Sequence, residues 1–383
     1  MGMFNDVFSK EEVNTGRQVE FDYLKGLFML FIFLIHAFQA TFSKEGLLVS
    51  WIYILATTTG AAIFIFVMGF GTVYSRNSQP NTLVKNGIQM IIYQYLNNLL
   101  YIVSLALPYP FVRASLSTEG EETFRLGMWV YVQYVNIFFI TGIIYLVLAL
   151  FKKLKLPVWG YLVAGIVISI AAPFIYGIHV DIPVLGYILG LLIGEEMYVS
   201  FTPLYFVSYA LIGVSAGHCY RHIKDQDLFY KRILPVCIII AAGWWISLYV
   251  RFKDDFDGLR SFSGASYIHP SLFRVAASLA HIIIFAVIFY YLHQKNVGDD
   301  GSTKPASPVT RQVLYYSSNI SKYYALHIVV YFIAFGVHGY TGFTTLQCWL
   351  LMLLSMIVTE AMVRGYNAFL KNRREKADAR KKS

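Results

Sequence analysis

Eleven positions separate a lysine from a histidine in the apolar stretch RQVEFDYLKGLFMLFIFLIHAF, Arg17 to Phe38. On a helix rising 1.5 Å per residue, His36 lies ~16 Å deeper than Lys25, and eleven steps of ~100° leave the two within ~20° of one face. Asp22, fourteen positions before His36, is ~40° off and on that face too. One stripe therefore carries an acid and a base at its mouth and an imidazole farther in. An imidazole titrates near neutral pH and suits proton transfer. Ionisable groups at bilayer depth are costly and usually functional. The same residues would also serve as a topology charge, a helix-start aspartate and a hydrogen-bonded core histidine.

A second cluster lies in SSNISKYYALHIVVYF, Ser317 to Phe332, with Lys322, Tyr323, Tyr324 and His327. Tyr323 and His327 are i and i+4, neighbours on one helix face. A third feature is Gln89, Tyr93, Asn97 and Tyr101, which recur every four residues. Such a stripe must face protein or water, as the lining of a substrate path or as interhelical hydrogen bonds. Glu360 and Arg364 have the spacing of a structural ion pair, and His281 reads as a core histidine. Cys219, Cys237 and Cys348 are scattered and give neither a disulfide framework nor a metal-ligand spacing. No HExxH, P-loop, GxSxG or strand-linked GxGxxG motif is present. No metal is expected.

The elements that must position these residues are apolar blocks of about twenty residues, long enough for a hydrocarbon core of ~30 Å. Hydrophobic residues make up 57% of the 383 and charged residues 14%, against ~25% charged in a soluble domain. Those proportions exclude a soluble globule and a disordered chain. The ~10-residue alternation of a transmembrane barrel is missing. The chain reads as an all-α polytopic membrane helix bundle of about ten transmembrane helices. The expected spans are 22–42, 50–74, 83–107, 127–151, 157–178, 201–220, 233–250, 270–292, 318–338 and 345–368. The apolar stretch 182–194 is short and reads as a re-entrant or interfacial piece. With both termini cytoplasmic, 23 basic residues fall inside against seven outside, with Lys322 within a span. The net charge of +9 thus reflects topology, and no nucleic acid is expected. Residues 1–20 read as a cytoplasmic segment without a cleavable signal, 21–370 as the transmembrane domain and 371–383 as a basic cytoplasmic tail. The Gly-, Ser- and Pro-containing stretch 295–311 reads as a linker, and Gly190/Gly194 and Gly213/Gly217 as helix-packing pairs.

FDYLKGLFMLFIFLIHAF resembles the first helix of the acyltransferase-3 family of integral membrane acyltransferases, in which a basic residue, ten intervening residues and a histidine recur; Lys25 and His36 match. GAAIFIFVMGFGTVYSR, Gly60 to Arg76, is similar to the second helix of that family and of the related heparan-glucosaminide acetyltransferases. SSNISKYYALHIVVYF is similar to the late helix that closes the fold, and VTEAMVRGY to the segment with the family's closing glutamate. The Arg-x-x-Arg pair that some members carry in the third helix is missing, and no extracytoplasmic esterase-like domain follows the last span. The resemblance implies a transmembrane acyltransferase domain over 21–370. It implies transfer from cytosolic acyl-CoA, as a donor substrate and not a resident cofactor, to a hydroxyl or amine of an outward-facing carbohydrate or glycolipid. The acyl group would be acetyl. Lys25, Arg76 and Lys322 would hold the anionic donor head. His36 would act as base or as acyl carrier, with Asp22 and His327 as further catalytic candidates. Gln89, Tyr93, Asn97 and Tyr323 would line the substrate path. The partners would be acyl-CoA, the acceptor, the lipid bilayer and, in a homo-oligomer, a second copy. The compartment would be the bacterial plasma membrane. The competing reading is a polytopic transporter or exporter of a small polar or lipid-linked substrate, whose polar stripes line its path.

Overall fold

The computed structural model describes residues 6–39, 47–112, 118–176, 178, 180–194, 199, 201–253, 255, 258, 259, 262, 270–296, 306–338 and 343–382. Most of the 295–311 linker lies outside them. The helices in chain order are α1 (Val19–Gln39), α2 (Leu47–Tyr74), α3 (Pro80–Ala106), α4 (Tyr109–Val112), α5 (Thr118–Gln133), α6 (Ile137–Lys153), α7 (Val158–Ile175) and α8 (Pro183–Ile193). There follow α9 (Pro203–Arg221), α10 (Gln226–Phe252), α11 (Leu272–Gln294), α12 (Pro308–Ser318), α13 (Ile320–Leu326), α14 (Ile328–His338) and α15 (Thr345–Lys382). Among the described residues there is no strand, only isolated bridges at Phe8–Ile223 and Val135–Val199. Among the described residues eight helical segments are long and apolar enough to cross a membrane. The chain is an all-α, multi-pass membrane protein.

Two expected spans fall outside those eight for identifiable reasons. The stretch 127–151 is not one helix. It divides at 134–136 into α5 and the 17-residue α6. Asn136 caps α6 by accepting from the Phe138 N–H, 2.9 Å. The other is α9, 19 residues long and buried over most of its length, including Ser208, Tyr209, Gly213, Ser215 and Gly217. A helix enclosed by protein has no need of apolar residues all round, so its hydropathy is low. The short apolar stretch forms the 11-residue α8, ended by Gly194 at φ 79°. A left-handed C-cap of that kind favours glycine. Gly194 is thus a helix stop and not the packing residue expected of it.

The chain forms two compact units. The first comprises residues 1–24, 50–96 and 133–306. At its centre α2 and α9 meet through glycines. A Cβ on Gly69 would stand 2.0 Å from the Ala210 carbonyl oxygen, and one on Gly213 2.3 Å from that of Phe66. The N-terminal segment is built into this unit. Val7 is fully buried, Ser9 N–H donates to His222 O at 2.7 Å and Lys224 N–H to Val7 O at 2.9 Å. His281 is a satisfied core histidine: Nδ1 donates to Ala277 O at 2.6 Å, and Nε2 accepts from Trp245 Nε1 at 2.8 Å.

The second unit comprises residues 25–49, 97–132 and 307–383. Gly26 lets α1 touch α12, where a Cβ would stand 2.0 Å from Val313 O. Cys348, Leu351, Ser355, Thr359 and Val363 form the buried stripe of α15, while Leu350, Leu354 and Ile357 are exposed, as lipid-facing residues are. The helix then runs without a break to Lys382. The 370/371 boundary expected between domain and tail is therefore inside a helix.

Candidate functional site

The second unit brings His36 and His327 together. Their ring centroids are 4.9 Å apart, with the planes at 50°. His36 sits on α1, unbroken from Val19 to Gln39, so the register relating it to Lys25 holds. His36 is half-buried and Lys25 likewise. His327 is 1% exposed. Phe33 meets its ring edge-on at 5.7 Å, and Tyr331 packs against both imidazoles at 6.2 Å. The Tyr331 hydroxyl donates to Phe33 O at 2.6 Å.

His327 also marks a break between α13 and α14. A helix interrupted at membrane depth must satisfy its freed carbonyls with side chains. Three side chains do so here. His327 Nδ1 donates to Tyr324 O at 2.7 Å, Asn97 Nδ2 to Ala325 O at 3.2 Å and Ser355 Oγ to His327 O at 2.9 Å. Asn97, expected to line a path, braces this break. Ser355 carried no signal in the sequence, because a serine in a long apolar helix is commonplace.

At the other end of α13, Lys322 donates to the side-chain oxygens of Asn319, at 3.1 Å, and Asn367. Asn367 in turn donates to Tyr315 Oη at 2.9 Å. Lys322 is thus a cation held by neutral amides. Next to it Glu360 accepts from Tyr323 Oη, from Gln312 Nε2 at 2.9 Å and from Arg364 Nε. The Glu360–Arg364 pair expected from spacing is present, as part of a wider network that also takes up Tyr323.

The remaining candidates lie elsewhere. Asp22 belongs to the first unit, where Arg17 Nε donates to it at 2.6 Å. Fourteen residues of unbroken helix, ~21 Å, keep it from direct contact with His36. Arg76 is exposed in the turn after α2, also in the first unit. Gln89 and Tyr93 are exposed and bond to each other, Nε2 to Oη, at 2.6 Å, whereas Asn97 and Tyr101 are buried. Steps of four residues advance ~40° each, so the stripe turns by ~120° from Gln89 to Tyr101 and does not line one path. Gln94 was missed. It is 1% exposed, accepts from the Asn136 and Phe139 N–H groups at 3.1 and 3.2 Å and donates to Tyr134 O at 2.6 Å.

Among the described residues no group of three or more His, Cys, Asp or Glu side chains is placed to hold a metal. The imidazole pair offers proton acceptors in an apolar setting, with an amide-held cation five residues from His327. No protein-family model, no curated protein and no solved structure matches the chain.

Proposed function

We propose that the chain is a membrane acyltransferase that moves an acetyl group from cytosolic acetyl-CoA to a hydroxyl or amine of an outward-facing carbohydrate or glycolipid. The observation that carries this reading is the His36–His327 pair, in which His36 stands on the helix whose Lys25-to-His36 register resembles the acyltransferase-3 pattern. In the proposed reaction a ring nitrogen of His36 takes the acceptor's proton. The acceptor oxygen or nitrogen attacks the thioester carbon and the C–S bond breaks. The CoA thiolate leaves and receives the proton back from His36. Lys25 and Lys322 supply cations for the anionic donor head. The ten-span topology with both termini cytoplasmic and the bacterial plasma membrane belong to this proposal.

The test is turnover of labelled acetyl-CoA by purified protein in lipid. His36→Ala should lower turnover by ~10²–10⁴-fold while acetyl-CoA still binds. Lys25→Ala removes a contact worth about 1.5–3 kcal/mol and should raise KM by roughly 10–100-fold with a smaller effect on kcat. Near-normal turnover in folded His36→Ala would remove His36 from the site. The break at His327 also favours a second reading, because interrupted helices line transport paths. A wild-type protein that binds no acyl-CoA would make the transporter reading the better one.

A further inference from the structure

Lys322 is a cation whose hydrogen-bond partners are neutral. Its ammonium has three N–H donors. Among the described residues two are taken, by Asn319 Oδ1 at 3.1 Å and by Asn367 Oδ1. Glu360, the carboxylate on the same stretch of α15, is spent on Tyr323, Gln312 and Arg364. Lys322 is half-buried, and a charge drawn out of water needs a counter-charge.

The lysine is held in place by a closed set of amide bonds. Asn367 Nδ2 donates to Asn319 Oδ1 at 3.0 Å and to Tyr315 Oη at 2.9 Å, and Asn319 Nδ2 donates to Tyr315 O at 3.1 Å. These bonds turn both amide oxygens toward the ammonium. Lys322 Nζ also stands 5.7 Å from the centre of the Tyr366 ring, within cation–π range. Tyr315 Oη accepts from Asn367, which leaves its O–H as a donor. Among the described residues that O–H has no acceptor. The third N–H of Lys322 and the Tyr315 O–H therefore flank one amide, Asn367. Two donors on a fixed frame, one of them cationic, suit an anion with several acceptor oxygens on one centre, as in a phosphate ester.

We propose that Lys322, Tyr315 and Asn367 form a binding site for the phosphate of a phosphate ester, carried by a soluble nucleotide or by a lipid headgroup. Lys322 supplies the charge, Tyr315 a second donor, and Asn367 aims both. Spacing connects the site to the imidazole pair. Ser355 holds the His327 carbonyl, and Asn367 follows Ser355 by twelve residues of α15, or ~18 Å. A pantetheine arm has about twelve bonds from sulfur to phosphate oxygen and reaches ~14 Å at the rise of an extended chain. One acyl-CoA could thus place a phosphate at Lys322 and its thioester near His36. That choice of ligand rests on the acyl-transfer reading; the phosphate site does not.

Binding to the full chain in a phosphorus-free maltoside detergent tests the site, with labelled ADP followed by equilibrium dialysis and phosphatidylglycerol by native mass spectrometry. Lys322→Gln should weaken binding by ~10–100-fold and Tyr315→Phe by ~3–10-fold. Asn367→Asp sets a carboxylate on Lys322, so the ammonium is paired from within. It should weaken binding by at least ~10-fold while keeping the fold, because Tyr315 can donate to the new carboxylate. Lys371, exposed and paired with Glu375 at 3.8 Å, is the control, and Lys371→Gln should stay within ~2-fold of wild type. Wild type that binds neither probe, Asn367→Asp that binds as well as wild type, or an equal loss in Lys371→Gln would overturn the proposal. ADP bound in preference to phosphatidylglycerol identifies a nucleotide phosphate, and the opposite preference a headgroup; either supports the site. Neither arm involves turnover. A protein that binds ADP at Lys322 and turns over no acetyl-CoA would therefore sink the acyl-transfer reading and leave the phosphate site standing. If Lys322→Gln does not fold, the near-isosteric Asn367→Asp decides.

Discussion

Glu360 accepts hydrogen bonds from a buried tyrosine, a glutamine and an arginine on three helices of one unit. An exposed i,i+4 pair alone would contribute only ~0.3–0.5 kcal/mol. The buried Tyr323 hydroxyl raises the stake, because a donor left without its charged acceptor costs about 1.5–3 kcal/mol. Glu360→Gln should therefore lower the thermal midpoint of the purified protein while leaving turnover per folded molecule near normal. A hundredfold loss of turnover at unchanged stability would move Glu360 into the reaction. The register of single residues was legible where a helix stays straight: the relation of Lys25 to His36 is arithmetic on an unbroken α1. Asp22 was not legible in the same way. Its partner Arg17 precedes the helix, where no fixed periodicity relates two residues.

At the scale of elements, hydropathy alone does not find interruptions. The stretch 127–151 is apolar enough to read as continuous, and neither Gly nor Pro stands at 134–136 to mark the break. What holds the break open is Gln94 on α3, through two accepted bonds and one donated bond. Its partners are forty or more residues away, so no local pattern announces them. Replacing Gln94 by Leu strands two N–H groups and a carbonyl. Losses of ~1–3 kcal/mol for each unsatisfied group, partly relieved by relaxation, suggest a total of about 2–4 kcal/mol. Gln94→Leu should thus be among the more destabilising single substitutions in α3, whereas exposed Gln89→Leu should be nearly neutral; thermal unfolding in detergent compares the two. The break at His327 has the same logic. There the histidine was visible in the sequence, but its role as a donor to the Tyr324 carbonyl of its own helix was not.

At the scale of the whole molecule, the proposed topology turns on α8 and α9, which have opposite mismatches of length and composition. Eleven residues of helix reach ~16 Å, half of the ~30 Å hydrocarbon core, however apolar they are. Nineteen residues reach ~28 Å, and the polar residues of α9 are covered by protein rather than lipid. In the proposed topology length therefore outweighs hydropathy, so that α9 crosses and α8 does not. The positive-inside count points the same way. Arg221 ends α9 and Lys224, Lys231 and Arg232 follow it, and Lys152, Lys153 and Lys155 precede α7. Both groups sit inside only if an even number of crossings separates them, which α7 and α9 supply without α8. Reporter fusions after Asp181 and after Phe201 should therefore report the same, outer side, and a fusion at Ser383 the inner side. Opposite signals from the first two would make α8 a full span. That outcome would place the basic residues after α9 on the outer side, against the charge rule that makes them cytoplasmic, and would reverse the orientation of every later helix, His327 included.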